Sequence, residues 1–536
     1  MLVSPDFVIS MARTKANPRK FAGRGEEDVF FKDWFIAYVG GFLSFKDLVR
    51  WDVAMCSQRK KWLQALSNVQ IVGIDVYEHR CNESVRWLIS RRIQHVTNIT
   101  YGEGSKRIIR SKSFAGARVL ANLTSITLYH ISDSILTSLK VNCPYLEEVS
   151  IECESVGESS SFAAAARMVQ KLPRLLDFQF TRNKIEAETP SSLHLSSTPI
   201  LLALALFCPL LESLDLAKYN NEGLAELIAG CPKLHTLTIN ADMSGVSLAG
   251  YRALGQSRSI TVLNVNTWAI GDVDAALRAM ADEGMPIKTL NLHTSNMEDH
   301  FGNDGISVVA RFSSTLEHPS IKDFIFANHD EGLQVLSQCH NLRSIEIENR
   351  EGGEGGIAGS FLMSICAGCP LLEKVTIVGI VAADEESATF VNFTPFFERC
   401  PKLKEFNVNI HTDEEVKALA QHCPIVERIK LGSCKLSQEH SEISDVSLVV
   451  IAQGLRFLTH IMLNYTQCTD AGLLELAKGE FSLLEQFRIH NGSWKQGFPL
   501  QITKEGFKEF NAAIKKCSTK PSIHCCEYYR LFNLYF

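Results

Sequence analysis

Apolar and polar residues recur along this chain in one repeated phrase. In CPKLHTLTI, residues 231 to 239, Leu234, Leu237 and Ile239 stand three, six and eight positions after the cysteine. LLESLDL after Cys208, LLEKVTI after Cys369, KLKEFNV after Cys400 and IVERIKL after Cys423 place apolar residues at the same offsets. The last two positions are separated by a single residue, so they share one face of an extended chain and predict a short strand buried on one side. A polar pair follows in many copies: Ser132-Asp133, Asn221-Glu222, Thr412-Asp413, Ser444-Asp445, Thr469-Asp470. Such residues accept hydrogen bonds from the unpaired amides of a first helical turn. EGLAELIAGCP, EEVKALAQHCP and AGLLELAKGE then carry apolar residues at helical spacing, and in the first two a proline after the cysteine forbids further helix.

The Cys-Pro pair itself occurs at Cys143, Cys208, Cys231, Cys369, Cys400 and Cys423. The template also fits copies without the pair: NLTSITL at 122, RLLDFQF at 174, SITVLNV at 259, PIKTLNL at 286, SIKDFIF at 320, NLRSIEI at 341, FLTHIML at 457 and LLEQFRI at 483. Two weaker copies, NVQIVGI and IQHVTNI, precede them and bring the total to sixteen, at a period of about 28 residues. The copies starting at 172, 284, 339, 369 and 423 are longer than the rest. Their surplus predicts loops at Arg182 to Thr198, Glu351 to Ser360, Ala383 to Phe393 and Ser437 to Ser444, and loops on a rigid scaffold are frequent places for partner contacts.

The pattern CPxLxxLxL at this period resembles the cysteine-containing leucine-rich repeat family, found in many F-box proteins and in ribonuclease-inhibitor-like solenoids. The resemblance covers about residues 60 to 500. It implies an α/β fold: a curved horseshoe-shaped solenoid with parallel strands on the concave face and helices on the convex face. The family often has Asn or Cys three residues after the second strand leucine, and here only GSC with Cys434 fits. The expected organisation is a basic leader over 1–26, a small helical amino-terminal segment over 27–65, the solenoid over 66–500 and a cap over 501–536.

Composition narrows the function classes. The chain has 536 residues, 46% of them hydrophobic and 21% charged, enough apolar material for a large core and too little charge for a disordered protein. Its net charge of −6 is spread out, with no bulk basic character pointing to nucleic acid. The longest apolar run, PILLALALFCPLL at 199–211, is too short to span a bilayer, and MLVSPDFVIS lacks the charge order of a secretory signal. Sixteen cysteines in mostly apolar contexts fit a reducing compartment, the cytosol or nucleus.

A cysteine that ends each helix, and is replaced by Leu172, Ser257 or Leu455 elsewhere, behaves as a small buried packing group. Cys366 and Cys369 form a lone CxxC without the second pair that zinc needs, and His524, Cys525, Cys526 and Cys517 read as a tail or end cap before a metal site. REGGEGG at 350–356 carries Glu351 and Glu354, which repel an anion. GxxxxGK[ST], HExxH and GxSxG are all missing from the sequence. No catalytic residue, cofactor or metal is expected.

The amino terminus differs from the repeats. FLSFKDLVRWDVAMC, at 42–56, resembles the middle of an F-box through Phe42, Leu43, Asp47, Leu48, Val49, Cys56 and Trp62. That resemblance implies docking on the small adaptor of a cullin-RING ubiquitin ligase, with Phe42, Leu43, Leu48, Val49 and Trp51 as the contact residues. The Leu-Pro pair that usually opens an F-box is missing, Asp52 charges the middle helix, and Cys56 to Trp62 is longer than the family spacing. The alternative is a plain cap, since the end of a solenoid must be covered. Upstream, MARTKANPRKFAG from Met11 resembles a core-histone tail through Ala12, Arg13, Thr14, Lys15, Arg19, Lys20 and Gly23, but as an internal segment it reads as a short basic leader.

Stacked strands align their outward positions into rows. The candidate partner-binding residues on the concave face are Asn240, Asn264, Asn266, Asn291, His293, Glu346, Glu348, Asn407, Asn409, Arg428, Lys430, Asn464, Arg488 and His490. The face they predict is polar, rich in amides, and basic towards the carboxyl end. The leading expectation is a non-catalytic substrate-recognition subunit of a ubiquitin ligase that holds a protein on this face and its loops. The alternative is an interaction scaffold with no ubiquitin link. A resemblance in architecture to plant hormone receptors leaves open a small ligand on the same face.

Overall fold

Alternation of buried and half-buried residues along each strand, such as the sequence SITLY at Ser125–Tyr129, places one row in the core and one at the surface. The computed structural model describes residues 70–71, 74–76, 95–96, 98–101, 122–129, 133–153, 159–182, 197–218, 221–242, 246–267, 273–294, 303–324, 330–349, 361–378, 391–432, 442–464, 466–481, 483–490, 502–514 and 522–525. The amino-terminal residues expected to meet an adaptor, Phe42 to Trp51, lie outside them, as do REGGEGG and most of the expected loops. Among the described residues no helix is long and apolar enough to cross a membrane.

The chain divides into two units, Met1–Ile260 and Thr261–Phe536. In the first, β1 (Gln70–Ile71) pairs with β3 (His95–Val96). A second parallel sheet runs through β2 (Ile74–Val76), β4 (Asn98–Tyr101), β5 (Ser125–Tyr129), β6 (Glu148–Cys153), β7 (Asp177–Arg182), β8 (Ser213–Lys218) and β9 (Thr236–Asp242). Its helices are α1 (Asp133–Asn142), α2 (Ser159–Val169), α3 (Thr198–Phe207), α4 (Leu224–Gly230) and α5 (Leu248–Gly255).

The second unit carries strands β10 (Val262–Thr267), β11 (Thr289–Thr294), β12 (His318–Phe324), β13 (Ser344–Asn349), β14 (Lys374–Val378), β15 (Glu405–Ile410), β16 (Arg428–Gly432), β17 (His460–Asn464), β18 (Gln486–His490) and β19 (Ser522–Cys525), all paired in parallel in that order. Its helices are α6 (Val273–Asp282), α7 (Asn303–Val309), α8 (Asp330–Gln334), α9 (Phe361–Gly368), α10 (Thr394–Arg399), α11 (Asp413–His422), α12 (Asp445–Gly454), α13 (Asp470–Leu476) and α14 (Lys504–Ile514). In each unit, strand and helix alternate through in-register parallel repeats: this is a leucine-rich repeat solenoid.

The repeat boundary explains the Cys-Pro pair. The amide of Cys231 donates to Leu227 and closes the last turn of α4, and the amide of Leu234 then donates back to Cys231 at 3.1 Å. Cys-Pro-x-Leu is thus a four-residue turn with proline at its second position, where a fixed φ suits it. The thiol reaches the other way: Cys231 Sγ donates to the carbonyls of Leu204 and Cys208 in the preceding repeat, at 3.6 and 3.5 Å. Cys208, Cys369 and Cys423 repeat this geometry on Val169 and Leu172, Leu336 and Cys339, and Phe397 and Cys400. Ser257 stands at the same position but bonds locally, through Ser259 and the Ile260 amide.

Helix starts are coupled as well. Thr412 and Glu415 form a reciprocal capping box at α11, and Ser444 and Thr469 accept from Val446 and Ala471. The aspartate after each cap serves the next repeat: Asp413 accepts from the amide and hydroxyl of Ser444 and from Ser447, Asp445 from Thr469, Asp470 from Thr503. A β-carbon on Gly472 or Gly506 would lie 2.0 Å from the incoming carboxylate, so glycine is required there. Asn221 was expected to start its own helix; α4 instead begins at Gly223, with φ of 93°, and Asn221 accepts from the amide of Ser247 in the next repeat.

Three registers are corrected. Pro319 and Ile321 of β12 pair with Leu290 and Leu292, so the true copy begins at Ser313 and SIKDFIF was read five residues out of register. A proline at a strand's core position concealed it, and the surplus assigned to the repeat at 284 disappears. Ile74 and Ile99 pair in line with Ile126, which shifts the two weak copies by two residues. Beyond residue 500, α14 and β19 add a further repeat, with Ile523 and Cys525 opposite Phe487 and Ile489 and Cys517 six residues before Ile523.

Burial pushes the thiols of Cys208, Cys231, Cys369 and Cys423 up to about 12. At pH 8 the thiolate fraction is on the order of one in ten thousand. Brief iodoacetamide treatment of the native chain is expected to leave these four unmodified by mass spectrometry, with full labelling in denaturant. Gly472→Ala is expected to cost about 1–3 kcal/mol in urea unfolding. Combined with Asp445→Ala, the total loss is expected to be smaller than the sum of the two, because the same carboxylate contact is removed.

Candidate partner-binding face

The outward positions of the strands, half-buried and polar, form continuous rows. Asn264 pairs in register with Asn291, and Asn266 with His293. The amide of Asn291 donates to the Asn264 carbonyl oxygen at 2.7 Å. Further along the same row Ser320 donates to Glu346 at 2.9 Å, Lys322 pairs with the other oxygen of Glu346, and Asn407 donates to Thr376 at 3.2 Å. Burial alone would raise the Glu346 carboxyl, but the hydrogen bonds from Lys322 and Ser320 outweigh it and hold the group below its ordinary range. Glu348 stands two residues on, beside Val378.

At Asn407 the row breaks. β15 and β16 slip, so Phe406 faces Ile429 while Asn409 faces Lys430. Lys430, Met462 and Arg488 then line up across β16, β17 and β18, with Arg428 and His460 adjacent. Burial, followed by the positive charge of Arg428, pushes His460 below its ordinary value. The carboxyl end of the face thus brings together Arg428, Lys430 and Arg488. Asn464 was expected on this surface and is instead 7% exposed. Its carbonyl lies where a β-carbon on Gly432 would sit, at φ of 98° and 1.7 Å, so the two strands close on each other there. Asn240 lies within β9 and His490 ends β18, and their side chains lie outside the described residues.

Several face residues were missed. The odd slip at β12 turned its inward and outward sets over, hiding His318, Ser320 and Lys322. One position before each outward row, a ladder of alternating charge runs from Lys288 to Glu317, Arg343, Glu373 and Lys404, with contacts of 2.9, 3.4, 3.0 and 2.6 Å. Lys288 and Lys404 hold Glu317 and Glu373 below the usual carboxylate range. A depression of 260 Å³ lies over it, lined by His318, Ser344, Lys374, Glu405 and the last three rungs. In the first unit the face is acidic. Asp177 is raised by burial and by Glu148, and Asp215 rises to about 6 through burial and Asp177. Asp177 and Asp215 stand at outward positions of the repeat, five residues after Leu172 and seven after Cys208.

The arrangement can hold a partner by hydrogen bonds and charge. Cys366 and Cys369 are buried free thiols, and burial raises both above their ordinary value. Among the described residues no group of three or more His, Cys, Asp or Glu could hold a metal ion.

The repeats define a leucine-rich repeat solenoid with a polar outward strand face. No family model matches the chain. Over 210 residues it is 28% identical to coronatine-insensitive protein homolog 2 of Oryza sativa, in both the indica and japonica subspecies. The match covers 37% of this chain and 33% of the rice proteins. Among solved structures it is similar to a leucine-rich repeat protein of Leptospira interrogans, at 11% identity and a TM-score of 0.34, covering 87% of this chain and 91% of that one. A Bacteroides fragilis protein aligns at 17% identity and a TM-score of 0.27, covering 41% and 64% of the two chains.

His411, at the end of β15, is 6% exposed, and burial pushes its imidazole down to about 4. The folded state therefore binds fewer protons than the unfolded chain between the ordinary histidine value and about 4. Stability is lost as pH falls through that window, by up to about 3 kcal/mol for a shift of this size. Urea unfolding from pH 7 to pH 4 is expected to show a shallower acid loss for His411→Gln than for the unsubstituted chain.

Proposed function

We propose that the chain is a non-catalytic substrate-recognition subunit of a cullin-RING ubiquitin ligase, acting in the cytosol or nucleus. The solenoid presents the protein to be modified, and the F-box-like segment at 42–56 docks the adaptor. The observation that carries the binding role is the in-register polar face, acidic over Asp177 and Asp215 in one unit and basic over Arg428, Lys430 and Arg488 in the other. Side chains placed this way position a partner by contact and perform no bond chemistry. Similarity to the rice coronatine-insensitive homologues over a multi-repeat length supports the same reading. The amino-terminal part of the proposal rests on Phe42, Leu43, Leu48, Val49 and Trp51.

Affinity purification of the tagged full chain tests both halves. It is expected to recover a cullin adaptor together with a protein partner. Leu43→Lys with Leu48→Lys should lose the adaptor and keep the partner. Lys430→Glu with Arg488→Glu should keep the adaptor and lower partner recovery about tenfold or more. An intact chain that recovers partners but no adaptor would leave an interaction scaffold with a capped end and remove the ligase assignment.

A further inference from the structure

Helix α3, with the sequence TPILLALALF, carries no polar side chain after Thr198. Ile200, Leu201, Ala203 and Leu204 are buried, which accounts for one face. The other face is apolar too: Leu202, Leu206 and Phe207 are 37%, 74% and 40% exposed. The fold does not demand this, because the same side of α11 presents Glu414, Lys417 and Gln421 to water. A contiguous apolar stripe rimmed by polar residues marks an interaction surface.

The neighbours of the stripe indicate what covers it. α2 and the turn after it flank it with exposed Arg167 and Lys171, and α4 and the turn before it flank it on the other side with exposed Glu226 and Glu222. Each position can be measured from its own repeat's cysteine position, at Leu172, Cys208 or Cys231. Arg167 and Glu226 both stand five residues before it, so they lie at one height on opposite sides of α3. Leu202 and Ala225 share a second height, and Leu206 and Ala229 a third. Ala225 and Ala229 are exposed and small, which leaves space beside α3 at the two heights where leucines project.

We propose that the chain forms a symmetric dimer through this helix layer, on a two-fold axis parallel to α3. Rotation about that axis sets α3 against its copy and α2 of one molecule against α4 of the other. Arg167 of each copy then meets Glu226 of its partner, and Leu202 and Leu206 enter the spaces over Ala225 and Ala229. A two-fold axis across the helix layer would instead set α2 against α2 and α4 against α4, keeping Arg167 and Glu226 on separate helix pairs, so charge selects the first arrangement. The contact is self-complementary and closes on itself, as a two-fold interface must. It uses the helix side of the first unit, opposite that unit's own sheet face.

Sedimentation velocity of the full chain from about 1 to 100 µM tests the dimer. The unsubstituted chain is expected to sediment as a dimer, and Leu206→Glu, at a site with no core role, as a monomer of unchanged circular dichroism. Arg167→Glu and Glu226→Arg should each weaken association about tenfold or more, and the double charge reversal should restore it. A chain that stays monomeric throughout this range, its stripe left to another protein, would overturn the proposal. So would a double reversal no better than its single parents.

Discussion

A carbonyl oxygen has two lone pairs, and at the end of a helix inside a stacked array the second of them has lost access to water. The structure depends on how these oxygens are satisfied. Here each already accepts a backbone amide, and a second donor comes from one repeat further on: the thiols of Cys208, Cys231, Cys369 and Cys423 donate to the helix-end carbonyls of the repeat before. Cysteine suits the task because it is small, tolerates burial and offers a weak donor. The same burial suppresses the thiolate, so the residues that most invite a chemical reading are held here as protonated packing groups.

The helix starts obey the same logic in reverse. Asp413, Asp445 and Asp470 each cap the repeat that follows; Ser447 adds a hydrogen bond to the first, and Gly472 and Gly506 leave room for the close approach of the other two. Thiols at one end of the helix layer and carboxylates at the other fix the stacking distance independently of the sheet. The outward strand positions are relieved of structural duty by this division. They carry asparagine ladders in one stretch, acids in another and a basic cluster in a third without disturbing the core.

Much of this was legible in the residues. The offsets of three, six and eight after Cys231 place Leu234, Leu237 and Ile239 in the core, where they are buried. Parity decided what survived an error. The two weak amino-terminal copies were misplaced by two residues and kept the correct face, whereas the five-residue slip at β12 turned it over. Pro319, in a position that usually holds an aliphatic side chain, was the cause. Asn464 was misread because burial at the end of a strand depends on a neighbouring backbone, that of Gly432, which no periodicity encodes. Asn221 was misread because its acceptor role belongs to the next repeat.

The alternating ladder from Lys288 to Lys404 has a consequence for how such an array changes length. Every inner rung is shared, since Glu317 contacts both Lys288 and Arg343, and Glu373 both Arg343 and Lys404. Loss of one inner repeat, or duplication of any single repeat in this stretch, would set two like charges side by side. Removing or inserting two leaves the alternation whole. Across these five repeats the solenoid therefore has a grammar of even steps, written in surface charge and invisible to the hydrophobic period that builds the fold.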